Sequence, residues 1–236
     1  MTNQDSTPLG GNFTSQTAGK PGMEFTMSAN EKFYGAVSVS TPLVERLAKG
    51  CNGDITPLST GWVVKTSKLD DDTEIETELE HYQKLDELGL TGVAVPECNF
   101  TRSVGGRLVL QQVNGAVTLA EYSQHPALSH TVWLDICLAA ASAVKKVHQA
   151  GFNHYDLHGN NICLELVNDQ WKAYVIDFAL AEHYDNNFLG LSWEDWQYEA
   201  QGDTQYLVDS LIAFYPDKLR KRPSWFDKVL EVFLGC

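Results

Sequence analysis

The sequence predicts an α+β molecule of two lobes, with strands gathered in the first lobe and helices in the second. Short runs of bulky and β-branched residues, Gly61-Trp62-Val63-Val64-Lys65 and Arg107-Leu108-Val109-Leu110, suit strands and fall early in the chain. The stretch from Thr131 to Gln149 is apolar on most faces and closes at Gly151, as a buried helix would. From Asp203 onward the pattern again reads as helical. At 236 residues and 43% hydrophobic content, the chain can bury one respectable core or two small ones that share a cleft.

Residues 1–30 are rich in Ser, Thr, Asn, Gln and Gly and lack aliphatic periodicity, so burial cannot offset their ordering entropy. They read as a disordered leader, either a plain tail or an export signal. The first lobe is expected over residues 31–113. After the Val63 strand, Asp70, Asp71 and Asp72 offer an N-cap and first-turn charge to a helix. Ile75, Leu79, Tyr82 and Leu85 recur along it at three- and four-residue steps, and Gly89 stops it. A strand from Arg107 to Val113 ends at Asn114-Gly115, where a turn marks the boundary to the second lobe, residues 114–236. There the long apolar helix marks a second core. Two strands, Ile162 to Leu166 and Lys172 to Ile176, flank an Asn-Asp-Gln turn.

Seventeen basic against 31 acidic residues give a formal charge of -14, which repels phosphate backbones and anionic lipid. Nucleic acid is therefore not an expected partner. No apolar run reaches the roughly 18 residues that a membrane span requires. The five cysteines are odd in number and contain no CxxC pair, which argues against a disulfide framework or zinc knuckle and for a reducing compartment.

Phosphoryl transfer needs a group to orient the acceptor hydroxyl, oxygens to hold magnesium and cations to neutralise phosphate. His154-Tyr155-Asp156-Leu157-His158-Gly159-Asn160-Asn161 sets an Asp and an Asn at H-x-D-x-x-x-x-N spacing, after the buried helix and before a strand. Asp177-Phe178-Ala179 follows the Ala173–Ile176 strand and resembles D-F-G with alanine in place of glycine. Upstream, Ala48-Lys49-Gly50-Cys51-Asn52-Gly53-Asp54-Ile55 matches a glycine-rich loop whose first glycine is alanine, and Lys65 ends the next strand. A lysine so placed needs a carboxylate on the following helix. Glu78 lies three after Ile75 and four before Tyr82, on the buried face, whereas Glu76 and Glu80 rotate toward solvent; Glu74 is the fallback.

As a set, Gly50, Gly53, Lys65, Glu78, Asp156, Asn161, Asp177 and Asp203 resemble the protein-kinase-like superfamily over Leu47 to Leu211. The resemblance implies a five-stranded antiparallel sheet with one helix, a helical second lobe, and ATP with Mg2+ in the cleft. It implies that Asp156 accepts the hydroxyl proton, that Asn161 and Asp177 bind magnesium, and that Lys65, held by Glu78, reaches the phosphates. Gly50 and Gly53 would cover those phosphates, Ile55 and Val63 would sandwich adenine, and the backbone of Gln111 and Val113 would pair with it. Asp203 would cap a helix and tie down the catalytic loop. Ala179 lacks the left-handed freedom of glycine, so this turn is expected to flip less readily. His154 and His158 read as structural rather than as zinc ligands, and Trp193 and Trp196 as core.

Two departures matter. No A-P-E sequence stands between Asp177 and Asp203, and 33 residues follow Asp203, so a truncated helical lobe is expected. In this the chain resembles the minimal kinases of bacterial type III secretion, the HopBF group first and the OspG and NleH groups next. That resemblance implies a Ser/Thr protein kinase secreted by a bacterium into the host cytoplasm. Its partner would be a host protein, a heat-shock chaperone or a ubiquitin-pathway protein, and its activity would not depend on activation-loop phosphorylation. A small-molecule phosphotransferase of the aminoglycoside or choline kinase type is the rival suggested by Asp156-Leu157-His158, but the 80 residues after Asp156 leave little for an acceptor pocket. A pseudokinase scaffold is the rival suggested by the missing glycines, against which Lys65, Asp156, Asn161 and Asp177 all stand.

Overall fold

The computed structural model describes residues 53–58, 61–67, 72–113, 117–186 and 190–215. The leader, Gly50, Asp70, Asp71, the Asn114-Gly115 turn and the chain after Tyr215 lie outside these residues. Strands β1 (Gly53–Leu58), β2 (Trp62–Ser67) and β3 (Arg107–Gln111) form an antiparallel sheet in that order. Beyond β3 an isolated antiparallel bridge joins Cys98 to Leu110, so of the five strands expected, three and a bridge stand among the described residues.

Helix α1 (Thr73–Glu87) links β2 to β3 and buries Ile75, Glu78, His81, Tyr82 and Leu85 on one face, with Leu79 at its margin. Asp72 occupies the cap position but makes no side-chain cap bond, so the expected N-cap is not made; its backbone is already right-handed helical. Gly89 follows the helix with φ +71, the left-handed position that ends many helices.

The second half runs β4 (Val117–Thr118), α2 (Leu119–Tyr122), α3 (His130–Gln149), β5 (Phe152–Asn153), β6 (Ile162–Val167), β7 (Gln170–Val175), β8 (Glu182–His183) and α4 (Trp193–Ala213). Ser129 caps α3 by accepting from the Val132 N–H, and Ser192 caps α4 by accepting from the Asp195 N–H. Strands β4, β6 and β7 form one small sheet, β5 and β8 another. Between β6 and β7 both Asn168 (φ 50) and Asp169 (φ 61) are left-handed, the backbone of a tight hairpin turn that these residue types tolerate. The last helix begins at Trp193 rather than at Asp203, because Ser192 supplies a start signal.

The separate second core is not observed. One continuous cluster includes Ile75, Tyr82 and Leu85 of α1 together with Val144 of α3, Phe152 and Phe178. Phe178 is the junction, its ring edge-on to Tyr82 at 5.7 Å and to Phe152 at 6.1 Å. Trp196 is buried with its indole N–H donating to Gly151 O, and Trp193 packs edge-on to Tyr184, so both tryptophans serve packing.

At the end of α4, Phe214 packs against the loop after Asp156 where only glycine fits. A Cβ on Gly159 would meet the Phe214 ring at 2.5 Å. Gly159→Ala is expected to lower stability by about 1–3 kcal/mol through overpacking, read as a shift in the urea unfolding midpoint.

Candidate active site

Lys65 projects from β2 between two carboxylates. Its Nζ lies 2.6 Å from Glu78 Oε2 on α1 and 2.6 Å from Asp177 Oδ1 just after β7. The other Glu78 oxygen, Oε1, accepts the Phe178 N–H at 3.1 Å. One fully buried carboxylate thus joins the sheet lysine to the turn that carries Asp177. Burial pulls the Lys65 ammonium down, but Glu78 and Asp177 outweigh it and hold its pKa above the ordinary value. Burial pushes the Glu78 carboxyl up, against the opposing pull of Lys65 and the Phe178 N–H. Glu78, not Glu74, is the residue that meets Lys65.

Cross-strand partners, and residues two apart on a strand, share a face of a sheet. Ile55 pairs with Lys65 in register and Val63 lies two before it, so all three project to the same side. This corrects the expected sandwich: Ile55 and Val63 can cover one face of a planar base but not both. At the hinge, the Gln111 N–H already donates to Glu97 O and the Gln112 N–H to Gly61 O. A base would have to use the Gln111 carbonyl or the backbone of Val113. Gly53 is the first residue of β1, and Gly50 lies outside the described residues.

The loop after β5 is held from below by Asp203. Its Oδ1 accepts the Tyr155 N–H at 2.8 Å, and its Oδ2 accepts the His154 N–H and lies 3.4 Å from His148 Nε2. Asp203 sits inside α4, so it caps no helix, yet it does tie down the loop as its position implied. The two bonds fix Tyr155 in a left-handed backbone (φ 60), a conformation a non-glycine residue keeps only when its surroundings impose it. Asp156 follows, its side chain 45% exposed. Asn161 Nδ2 donates to Asp156 O at 2.9 Å and to Asp156 Oδ2 at 3.2 Å.

That orientation of Asn161 leaves its amide oxygen as the atom for a hard cation, and Asp177, 38% exposed, offers a carboxylate. Magnesium takes few protein oxygens and fills its shell with phosphates and water, so an Asp and an Asn suit it. The left-handed residue of the Asp-Phe-Ala turn is Asp177 (φ 67), not Ala179. The alanine therefore meets no backbone penalty in this conformation, which revises the effect expected of it.

His81 did not figure among the candidate residues. It lies three positions after Glu78 on the same buried face, and its Nδ1 donates to Phe178 O at 2.8 Å. Helical spacing from Glu78 was the signal that could have found it.

Two halves around a lysine, two metal-competent oxygens and an exposed loop carboxylate define the class: this is a kinase, an enzyme of phosphoryl transfer. The chain belongs to the lipopolysaccharide kinase (Kdo/WaaP) family, whose sequence profile matches residues 67–188, just over half of it. The match takes in Glu78, Asp156, Asn161 and Asp177; Lys65 and Asp203 flank it. Among solved structures, the crystal structure of the Rad53 kinase domain and SCD2 superposes with a TM-score of 0.50, covering 78% of this chain and 71% of that one. At 20% identity that likeness is one of fold. No curated protein matches the sequence.

Two further histidines brace the site in neutral form. His154 Nε2 donates to Ile176 O at 3.0 Å while its Nδ1 accepts the Asp156 N–H; His183 Nε2 donates to Ala150 O at 3.0 Å while its Nδ1 accepts the Asp185 N–H. Burial holds both imidazoles below their ordinary value, against the pull of those carbonyls. In the window below the unfolded value of about 6.5, the unfolded chain binds protons that the folded one refuses, so this contribution to stability is lost as pH falls. The thermal midpoint is expected to drop from pH 7 to pH 5, and to drop less steeply in His183→Gln, whose amide keeps a donor and does not titrate.

Proposed function

We propose that this kinase transfers the γ-phosphate of magnesium-bound ATP to a Ser or Thr hydroxyl of a host protein, as an effector that a bacterium delivers into the host cytoplasm. Openness on the acceptor side carries the assignment of a macromolecular acceptor. Between Asp177 and α4 the described residues hold only β8 and one short 3-10 turn at Tyr184–Asn186, and the Asp156 carboxylate is 45% exposed. A small acceptor needs walls that bury most of its surface, whereas a loop of a large molecule needs an open approach. A heat-shock chaperone or a ubiquitin-pathway protein is the partner suggested by the resemblance to the HopBF and OspG groups.

In this reading the Asp156 carboxylate orients the acceptor hydroxyl and takes its proton as the oxygen bonds to the γ-phosphorus. The bond from that phosphorus to the β-bridging oxygen breaks, and ADP leaves. Lys65, held by Glu78, meets the α- and β-phosphates. Asp177 and Asn161 hold the magnesium, which supplies charge neutralisation on the phosphates. Ile55 and Val63 cover one face of the adenine.

A second reading places the acceptor hydroxyl on a sugar of a glycolipid. It is favoured by membership of a family named for lipopolysaccharide kinases, and a large glycolipid would use the same open approach.

Radiolabel transfer from γ-labelled ATP, with host lysate and lipopolysaccharide as parallel acceptors, separates the two. A labelled protein band that disappears in Asp177→Ala is expected, with a loss of at least about a hundred-fold, the scale of removing one transition-state partner. Label confined to lipopolysaccharide would move the assignment to the second reading; nucleotide binding without transfer to either would make the chain a scaffold. The short stretch from Phe178 to Ser192 leaves no long activation segment for an added phosphate to order. Phosphatase treatment is accordingly expected to leave the rate unchanged.

A further inference from the structure

Building on the phosphotransferase reading, we propose that His81 is a positioning residue of the phosphoryl-transfer site, holding the turn that carries Asp177 in its metal-binding conformation. His81 touches no reacting atom and acts through the backbone of Phe178.

Glu78 and His81 stand three apart on the buried face of α1 and engage the two backbone polar groups of one residue. Glu78 Oε1 accepts the Phe178 N–H at 3.1 Å, and His81 Nδ1 donates to Phe178 O at 2.8 Å. Phe178 is the neighbour of Asp177, whose backbone is left-handed at φ 67. Aspartate tolerates that region better than most side chains but populates it sparsely, so adjacent groups decide how fully it is held there. On the other side of Asp177, Ile176 is pinned as well, its N–H donating to Asn161 O at 3.0 Å and its carbonyl accepting from His154 Nε2 at 3.0 Å. With the Ala181 N–H, which also donates to Phe178 O at 3.1 Å, five hydrogen bonds bracket Asp177, and two of them come from α1. The helix and the turn are coupled, because displacing α1 would break its bonds to both polar groups of Phe178 together and leave the carbonyl only the Ala181 N–H.

Packing alone does not account for His81. Its ring meets Phe152 edge-on at 5.8 Å, a contact that any aromatic ring would supply, whereas the donation to Phe178 O requires a ring nitrogen. Without that donor Phe178 O keeps only the local Ala181 N–H at 3.1 Å, its tie to α1 is lost, and the turn is freer to leave the left-handed conformer. A ligand that needs Asp177 in place then binds in proportion to the fraction of molecules that still hold it. Nucleotide without metal does not draw on the Asp177 carboxylate, which competes with its phosphates for Lys65, so its binding does not weaken as that fraction falls.

The test is calorimetric titration of the full chain with the non-hydrolysable nucleotide adenylyl imidodiphosphate, once with magnesium and once with a chelator, for wild type, His81→Phe and His81→Asn. Phenylalanine keeps the ring and removes the donor; the asparagine amide nitrogen replaces Nδ1 as donor. In His81→Phe, binding with magnesium is expected to weaken about five-fold, the scale of losing one hydrogen bond to a buried carbonyl, and binding with chelator not to weaken. His81→Asn is expected to return the magnesium-dependent part toward wild type. Equal weakening in both conditions, no weakening, or no recovery with asparagine would overturn the assignment. Should His81→Phe not fold, His81→Leu removes the same donor at smaller volume. Wild-type protein that binds no nucleotide would instead sink the phosphotransferase reading itself, an outcome distinct from the failure of His81 alone.

Discussion

A lysine wedged between two carboxylates organises this molecule. Lys65 comes from the sheet, Glu78 from the helix in front of it and Asp177 from the turn after β7, and the ammonium is the one place where the three meet. Buried ion pairs add little to net stability, because desolvation cancels most of the attraction. Their effect here is registration. Removing Lys65 would leave Glu78 buried with only the Phe178 N–H and Asp177 without its cation, so sheet, helix and turn are held to one arrangement.

Strain is handled in the same way at two points. Tyr155 and Asp177 both adopt left-handed backbones without being glycine. Asp203, reaching up from the middle of α4, holds the first through two amide groups. Groups on α1 hold the second. Each loop residue that faces the chemistry is thereby anchored to a helix whose own position is set by core packing, and side chains on a rigid frame reach more reproducible geometry than side chains on free loops.

Much of this was legible in the sequence, and the legible parts share a cause. Glu78 could be picked from four glutamates because helical periodicity marks a face, and Asp156, Asn161 and Asp177 could be picked because their spacing and strand context are local. What stayed hidden depends on register or on tertiary contact. That Ile55 and Val63 lie on one side of the sheet follows from the pairing of Ile55 with Lys65, which periodicity within one strand cannot supply. The Gln111 amide is occupied by Glu97, a residue from a bridge segment with no strand signature. Asp203 read as a helix cap because short polar residues usually serve there; its real partners lie 48 and 49 positions away. The two expected cores merged into one because Phe178, read as part of a metal-binding motif, also packs between α1 and β5.

The division of labour within Glu78 bears on how such a chain can change over generations. One of its oxygens takes the lysine and the other a backbone N–H, so both must be acceptors. Glutamine would turn an N–H toward one of two donors, and aspartate, shorter by a methylene, could not span both. No single replacement serves, and the lysine and the helix register would have to drift in concert for the position to vary. Lineages that lose transfer activity should therefore show relaxed sequence here early, while those that keep it inherit the lysine, the glutamate and the turn as a block.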